Sequence, residues 1–394
     1  MNPSPPPLEC TATPEHFLGM PTVRFLRDYW QKHPLLVRGA YPDFTSPISP
    51  DELAGLACEE GTLGRLIVHD AAGDTWNLRT GPFPESAFAD LPGRDWTLLV
   101  QDVDKWDADV AALLDRFDFL PRWRIDDIMV SFAAPDGSVG AHLDQYDVFL
   151  LQGLGQRRWQ IDTGPNPSRA FREDVELKLL REFSPSHEWV VQPGDLLYLP
   201  PGVPHHGVAL EACLTLSVGM RAPSHAELLA DLADSLAETL PEHLRYDDAD
   251  LAPDACDGRI DAAVLRRARA ALQTLQEVED NTLADWFGGF ITRYRSAGQI
   301  AAPPRPPSPA RIEKCLLAGE RLHLHPLARC AWRNQARRAI LHIDGERFSA
   351  GTALARQLAR GLPLAVDDYA GLDADDRALV QHLARHGILV LSRP

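Results

Sequence analysis

The apolar positions of this chain change period twice. Over residues 22–31 (TVRFLRDYWQ), Val23, Phe25, Leu26, Tyr29 and Trp30 fall at helical spacing. A second helix is expected over residues 49–59. Ser49 can cap it, Pro50 suits the first helical position and Glu52 completes a capping box. The period then drops to two. Residues 65–69 and 76–79 flank Gly73-Asp74 as a hairpin, residues 96–101 read as a strand, and residues 107–117 return to helical spacing. From residue 127 to 220 short strands dominate, at 128–132, 147–152, 157–161, 188–191, 195–199 and 213–220. Turn signals at Pro135-Asp136-Gly137, Gly153-Leu154-Gly155 and Pro193-Gly194 separate them. Many short strands with such turns imply a sandwich or barrel, and a double-sheet jelly roll of the cupin kind leaves a mouth for a ligand.

After residue 224 the pattern is helical, with amphipathic stretches at 226–240, 260–279 and 282–296. A proline-rich linker, IAAPPRPPSP, occupies residues 300–309. Beyond it, helical spacing at 310–317 and 374–385 flanks short strands near 340–343 and 388–391. Asp344-Gly345 signals a tight turn and Gly387 a helix C-cap, which together suggest a winged-helix shape. The expected division is a barrel with N-terminal helices over 1–222, a helical region over 223–300 and a winged-helix-like segment over 310–394. The proline-rich first 15 residues are expected to be mobile.

Charge narrows the function classes. The 394 residues carry a formal charge of -17. Residues 310–394 hold 13 Lys or Arg against 9 Asp or Glu, a net of +4, so the 309 residues before them carry -21. Such a chain is poorly suited to general nucleic-acid binding, which needs cations against phosphate. It suits a small-molecule or basic-protein partner. The six cysteines form no CxxC pair and read as reduced thiols. The N-terminus lacks the features of a signal peptide, and no stretch is apolar enough to span a membrane, so a cytoplasmic location is expected.

The chemistry concentrates in AHLDQYD, residues 141–147. His142 and Asp144 stand two apart, and on extended backbone positions i and i+2 project from one face. An imidazole and a carboxylate can then share a pocket. A histidine from a later strand would complete a two-His-one-carboxylate triad, which leaves open positions on Fe(II). PPGVPHHG, residues 200–207, offers His205 and His206 at the end of a stiff turn. Adjacent strand residues face opposite sides, so only one of the two can join the site, and periodicity alone does not choose between them. Asp136, just before the motif, could meet a cationic substrate but reads more simply as the turn residue of Pro-Asp-Gly. Gln145 and Tyr146 could line a pocket or belong to the core.

These residues resemble the JmjC-type ribosomal oxygenases, a branch of the cupin-fold 2-oxoglutarate oxygenases. The match is nearest to the bacterial members that hydroxylate an arginine of a large-subunit ribosomal protein. The matching phrases are YWQKHPLLVRGA, SPDELAGLA, WRIDDIMVSFAAPDGSVGAHLDQYDVFLLQGLGQRRWQI, PGDLLYLPPGVPHHGVAL and SVGMRAP. The resemblance implies a double-stranded β-helix (JmjC) barrel, a helical dimerisation region and a C-terminal winged-helix-like domain. It implies Fe(2+) as cofactor, held by His142, Asp144 and His205, with 2-oxoglutarate and O2 as co-substrates. Arg157 would bind the far carboxylate of 2-oxoglutarate, as suits a guanidinium fork, and Ser131 would lie beside it. Where relatives often have a second serine, this chain has Ala133. The implied partners are a large-subunit ribosomal protein as substrate and a second copy of the chain in a homodimer. The implied reaction is hydroxylation of a substrate C–H bond.

Three other readings compete. The same chemistry could act on a histidine, asparagine or methyl-lysine. A nucleic-acid-binding regulator could work through the basic run Arg329, Arg333, Arg337 and Arg338. A metal-free cupin scaffold would make His142 and Asp144 incidental.

Overall fold

The computed structural model describes residues 7–249, 259–273, 275, 277–293 and 299–392, and these fall into two compact units, one ending at Ala222 and one beginning at Pro223. The first unit contains strands β1 (Glu9–Thr11), β2 (Leu35–Arg38), β3 (Leu63–Asp70), β4 (Thr75–Thr80), β5 (Trp96–Gln101) and β6 (Ile125–Ala133). These are followed by β7 (Val148–Leu154), β8 (Arg157–Ile161), β9 (His187–Val191), β10 (Leu196–Leu199), β11 (His205–Ala209) and β12 (Cys213–Met220). Nine of them form one sheet in the order β1-β2-β10-β7-β12-β6-β5-β3-β4, and β11-β8-β9 form a second. Neighbours are antiparallel except β1 and β2.

Alternation decides what each face of the large sheet does. Ile128 and Val130 of β6, Phe149 and Leu151 of β7, and Leu214, Leu216 and Val218 of β12 point to one side. There they join a core of 31 buried residues that includes Phe25, Tyr29 and Leu53 from the N-terminal helices. The other side meets the small sheet through a core of only 8, among them Val148, Leu150, Trp159, Ile161 and Leu199. At about 1.5–3 kcal/mol per fully buried large side chain, the outer core supplies most of the hydrophobic stabilisation. The space between the sheets can therefore hold polar groups.

Helix Pro50–Leu56 has the expected capping box, Ser49 with Glu52. The hairpin β3–β4 turns at Asp74, a left-handed residue with φ of 47°. The helix expected over 107–117 is α-helical only over Ala108–Ala112 and tightens to a 3-10 helix at Leu113–Phe117. One expectation fails. Residues 1–6 lie outside the described residues, but from residue 9 the N-terminal segment is ordered as β1. It pairs Glu9 with Leu36 and Thr11 with Arg38, and Arg38 binds Glu9 at 2.7 Å. Local composition signalled mobility, whereas pairing with a strand 27 residues later, as Leu36 with Glu9, supplies the order.

In the second unit, helices His225–Ala237, Ala262–Gln273 and Asp280–Thr292 precede helix Pro309–Leu317; residues 294–296 of the third expected helix lie outside the described residues. Strands β13 (Arg321–Leu324) and β17 (Leu389–Ser392) pair, and β14 (Cys330–Asn334), β15 (Ala339–Ile343) and β16 (Glu346–Ala350) form a meander. Helices Thr352–Ala359 and Ala374–Arg385 close a separate core around Leu341, Leu354 and Val380. The basic run does not form one open face. Arg333 is bound to Asp285 at 2.8 Å, Arg338 to Asp373 at 2.9 Å, and Arg329 is buried. Cys10, Cys58, Cys213, Cys315 and Cys330 are free thiols, and Cys256 lies outside the described residues. No described helix is long and apolar enough to cross a membrane.

Candidate metal centre

A single backbone bridge brings the metal motif together. The His142 amide donates to the His205 carbonyl at 3.0 Å, and the His205 amide returns the bond at 2.8 Å. The motif is not inside a strand as alternation suggested. His142 is an isolated bridge residue, and Asp144 lies in the irregular stretch before β7. Asp144 is fixed instead through its carbonyl, which accepts from the Gly202 amide of the proline-rich turn at 2.7 Å. The ligand atoms of His142, Asp144 and His205 lie within 4.8 Å of one another, the one such group among the described residues.

The imidazoles are held in the form a metal needs. His142 Nδ1 donates to the Gly140 carbonyl at 2.9 Å, and His205 Nδ1 donates to the Val203 carbonyl at 3.0 Å. A carbonyl can only accept, so each Nδ1 carries the proton and each Nε2 presents a lone pair. Burial pushes the His205 pKa down to about 4, with the His142 imidazole adding to the shift and Asp144 opposing it. Two neutral imidazoles and a carboxylate are a suitable donor set for a divalent first-row metal. His206 is on the opposite face of β11, packed edge-on against Phe183 at 6.1 Å, so His205 is the histidine brought to the site.

Deeper between the sheets lies an unbalanced cation. Arg157 of β8 is 3% exposed. Its Nη1 donates to Thr215 Oγ1 at 3.0 Å and to Ser131 Oγ at 3.4 Å, and the guanidinium sits 5.2 Å from the Trp159 ring centre. Its Nε finds no acceptor, and no carboxylate among the described residues pairs with it. Burial accordingly pushes its pKa down. An unpaired buried charge costs several kcal/mol, so the site is built for an anion. Thr215 and its partner Gln152, whose Oε1 accepts from Thr215 Oγ1 at 3.1 Å, were not singled out from the sequence. The available signal was the alternation of β12, which puts Thr215 and Ser217 on the face opposite Leu214 and Leu216.

Residues 112–228 match the JmjC domain family, and residues 270–390 match the ROXA-like winged helix. The ribosomal protein uL16 3-hydroxylase of Escherichia coli K12 is 38% identical over 313 residues, spanning 78% of this chain and 80% of that one. The chain belongs to the JmjC-type ribosomal oxygenases. The crystal structure of E. coli YcfD superposes with a TM-score of 0.84 at 33% identity, covering 95% of this chain and 99% of that one. The structure of the same E. coli protein, a ribosomal oxygenase, in complex with cobalt and 2-oxoglutarate gives a TM-score of 0.80 with the same identity and coverage. The fold of this ribosomal oxygenase is thus the JmjC double-stranded β-helix followed by a C-terminal winged helix.

The approach to the oxygenase site carries charges of both signs, Asp144 and Glu176 with Arg172 and Lys178. On β6, Asp127 and Met129 share the face of Ser131, between the sheets. Burial pushes the Asp127 carboxyl up to about 7; the neighbouring carboxylates of Asp102, Asp126 and Asp104 add to this, against a hydrogen bond from the Asp102 amide at 3.0 Å. Desolvation of the Tyr146 hydroxyl, followed by the carboxylates of Asp144 and Asp127, raises its pKa. A cleft of about 530 Å³ opens beside Asp144, with Asp144, Gln145 and Tyr146 contributed by the metal motif and Phe171, Arg172 and Lys178 by the segment between β8 and β9. Asp136 is not part of it. It sits at a left-handed turn position, ion-paired with Arg94.

Proposed function

We propose that this ribosomal oxygenase is an Fe(II)- and 2-oxoglutarate-dependent hydroxylase of an arginine side chain in a large-subunit ribosomal protein. The observation that carries the reading is the pairing of two features in one barrel. His142, Asp144 and His205 converge within 4.8 Å, and Arg157 is buried in the same barrel with no counter-anion. The named activity of the E. coli relative, a uL16 3-hydroxylase, and the cobalt and 2-oxoglutarate bound by YcfD support the same assignment.

In this reading His142 and His205 hold iron through Nε2 and Asp144 holds it through a carboxylate oxygen. Iron held there would supply O2 activation, in which one oxygen atom of O2 goes to succinate as 2-oxoglutarate loses CO2 and the other enters a substrate C–H bond as a hydroxyl. Arg157 binds the far carboxylate of 2-oxoglutarate with its guanidinium fork, which neutralises the buried charge. Ser131 and Thr215 orient that fork by accepting from Nη1. Trp159, Ile161 and Val148 keep the floor of the barrel apolar and exclude water. The net charge of -21 on residues 1–309 favours encounter with a basic ribosomal segment. The chain acts as a cytoplasmic homodimer, in keeping with the exposed apolar residues Leu229, Leu265 and Leu272 on its helical region.

The test is incubation with Fe(II), 2-oxoglutarate, O2 and extracted ribosomal proteins, followed by peptide mapping by mass spectrometry. A one-oxygen gain on an arginine, absent with His142→Ala, is expected. A one-oxygen gain on another residue type, or loss of a methyl group, would replace the arginine assignment. Succinate formation with no modified peptide would leave the co-substrate chemistry standing and remove the substrate.

A further inference from the structure

One wall of the cleft belongs to no regular element. Residues 162–186, between β8 and β9, contain only an isolated bridge between Phe171 and Leu180. The segment is folded on itself by the Arg172 amide to the Leu179 carbonyl at 2.8 Å and the Arg181 amide to the Ala170 carbonyl at 2.8 Å. It is tied to the backbone beside the metal ligands where the Leu180 amide donates to the Ala141 carbonyl at 2.8 Å and where the Asp162 amide donates to the Pro204 carbonyl at 3.0 Å. Loops of this length without regular structure are commonly functional, and a loop can grip a ligand only if something fixes it.

The fixing group is Arg172. Its Nε and Nη2 clasp Asp174 at 3.1 and 2.7 Å, within its own segment. Its Nη1 reaches across to Asp74 Oδ2 at 2.8 Å. Asp74 is the left-handed residue at the tip of the β3–β4 hairpin, 98 positions away in sequence. The other Asp74 oxygen contacts His69 Nε2 at 3.3 Å and accepts from Trp76 Nε1 at 3.4 Å, and the His69 and Trp76 rings stack at 3.9 Å. Trp76 in turn lies with Leu179 against Gly140, where a β-carbon would stand 3.2 Å from Trp76 and 2.6 Å from Leu179. The hairpin tip therefore braces the cleft wall twice, through Asp74 on Arg172 and through Trp76 beside Leu179.

We propose that Asp74 and Arg172 form a latch that positions the 162–186 segment as the substrate-gripping wall of the cleft. The latch acts on the protein substrate and not on the metal or 2-oxoglutarate. Asp74 does not line the cleft, whereas Arg172 does. The metal histidines have bonds of their own that do not involve Asp74 or Arg172, namely their mutual backbone bridge and their Nδ1 bonds to Gly140 and Val203. Exposed ion pairs contribute little to stability, and Asp74 is 62% exposed. The effect of breaking the pair is accordingly one of geometry. This inference rests on the proposed protein-hydroxylase activity.

The test compares wild type with Asp74→Asn, Asp74→Ala and the conservative Asp74→Glu in the full chain. KM and kcat are measured for the ribosomal peptide that the wild type modifies, together with 2-oxoglutarate affinity and hydrogen exchange of residues 170–181. The expected result for Asp74→Ala is a KM for peptide raised roughly tenfold with kcat within a factor of about two. Unchanged 2-oxoglutarate affinity, faster exchange at 170–181 and partial recovery in Asp74→Glu are expected with it. An active wild type with peptide KM unmoved in Asp74→Ala overturns the latch, as does a parallel loss of 2-oxoglutarate binding, which would show general damage. If the wild type modifies no ribosomal peptide, the proposed function fails on its own. Exchange at 170–181 then decides the latch, faster in the variants if it holds and unchanged if it does not.

Discussion

Replacing Arg157 by methionine separates two effects that the structure gives opposite signs. On the proposed assignment, the guanidinium of the liganded enzyme faces the far carboxylate of 2-oxoglutarate in a water-poor site. Truncating one partner of a buried, hydrogen-bonded charge pair costs about 2–5 kcal/mol, so 2-oxoglutarate affinity falls by roughly two decades, corresponding to ~3 kcal/mol. In the protein without 2-oxoglutarate, Arg157 is 3% exposed with Nε unsatisfied and no carboxylate partner. Methionine removes that uncompensated charge and keeps most of the apolar stem. The lost bond to Thr215 Oγ1 is worth about 1 kcal/mol, and Thr215 keeps its bond to Gln152. The net for the unliganded variant is a gain of about 1 kcal/mol, or a Tm higher by about 2–4 °C. Calorimetric titration with Co(II) in place of Fe(II) gives the first quantity, and scanning calorimetry gives the second. Arg157→Lys keeps the charge but loses the fork and falls between. A 2-oxoglutarate Kd within about threefold of wild type in Arg157→Met would refute the anchor role. An unliganded variant less stable than wild type would refute the claim that the charge is unpaid.

Other consequences follow from single contacts. Asp144→Ala is expected to abolish Co(II) binding while leaving the circular-dichroism spectrum intact, because Asp144 is tied to the turn through its backbone. Asp127 titrates near 7 when folded against 3.8 for the free group, so the folded state binds more protons between these values and stability falls as pH rises through that window. Asp127→Asn should therefore raise the Tm at pH 8 relative to wild type more than at pH 5. A β-carbon at Gly207 would stand 2.6 Å from the Trp159 ring, so Gly207→Ala should cost about 1–3 kcal/mol in urea denaturation and weaken Co(II) binding at the neighbouring His205. Ser49→Ala removes one half of a capping box and should cost about 1 kcal/mol by the same measurement.

The parts legible in the sequence were those where one period sufficed. Strands β5, β8 and β12 were read with the bounds the structure gives, because each alternates or is apolar throughout and is bounded by turn residues. The capping box at Ser49 and the hairpin turn at Asp74 are local, and they too were read correctly. Elements fixed by distant partners were missed. β1 is ordered by β2, and β13 by β17, which is 68 residues away as Arg321 is from Leu389. β16, ERFSA, has too few apolar residues to signal a strand and forms because β15 pairs with it. At the site, residue type and order identified His142, Asp144 and a later histidine. Which histidine faces inward depended on the register of β11 against β8, where His205 pairs Ile161 and His206 pairs Gln160. Resemblance supplied that choice where periodicity could not. The latch between Asp74 and Arg172 had no sequence signal, since nothing local links a hairpin tip to a loop 98 residues later.

The site and the stability of the barrel depend on the same registers. On β6, Ile128 and Val130 enter the large outer core while Asp127, Met129 and Ser131 face the cavity. On β12, Leu214, Leu216 and Val218 enter that core while Thr215 and Ser217 face inward, and Ser131 stands opposite Thr215. A slip of one residue would bury Asp127 and Thr215 in the apolar core and turn Ile128 and Leu216 toward Arg157. Each buried polar group left without partners would cost about 1–3 kcal/mol, and each displaced leucine or isoleucine a similar amount. The outer core therefore selects the register that also sets Ser131 and Thr215 on Arg157. This explains how a chain can hold a buried, unbalanced guanidinium at all. The cost falls on a strand pair whose opposite faces are locked by apolar packing, so the cation stays in place until an anion arrives.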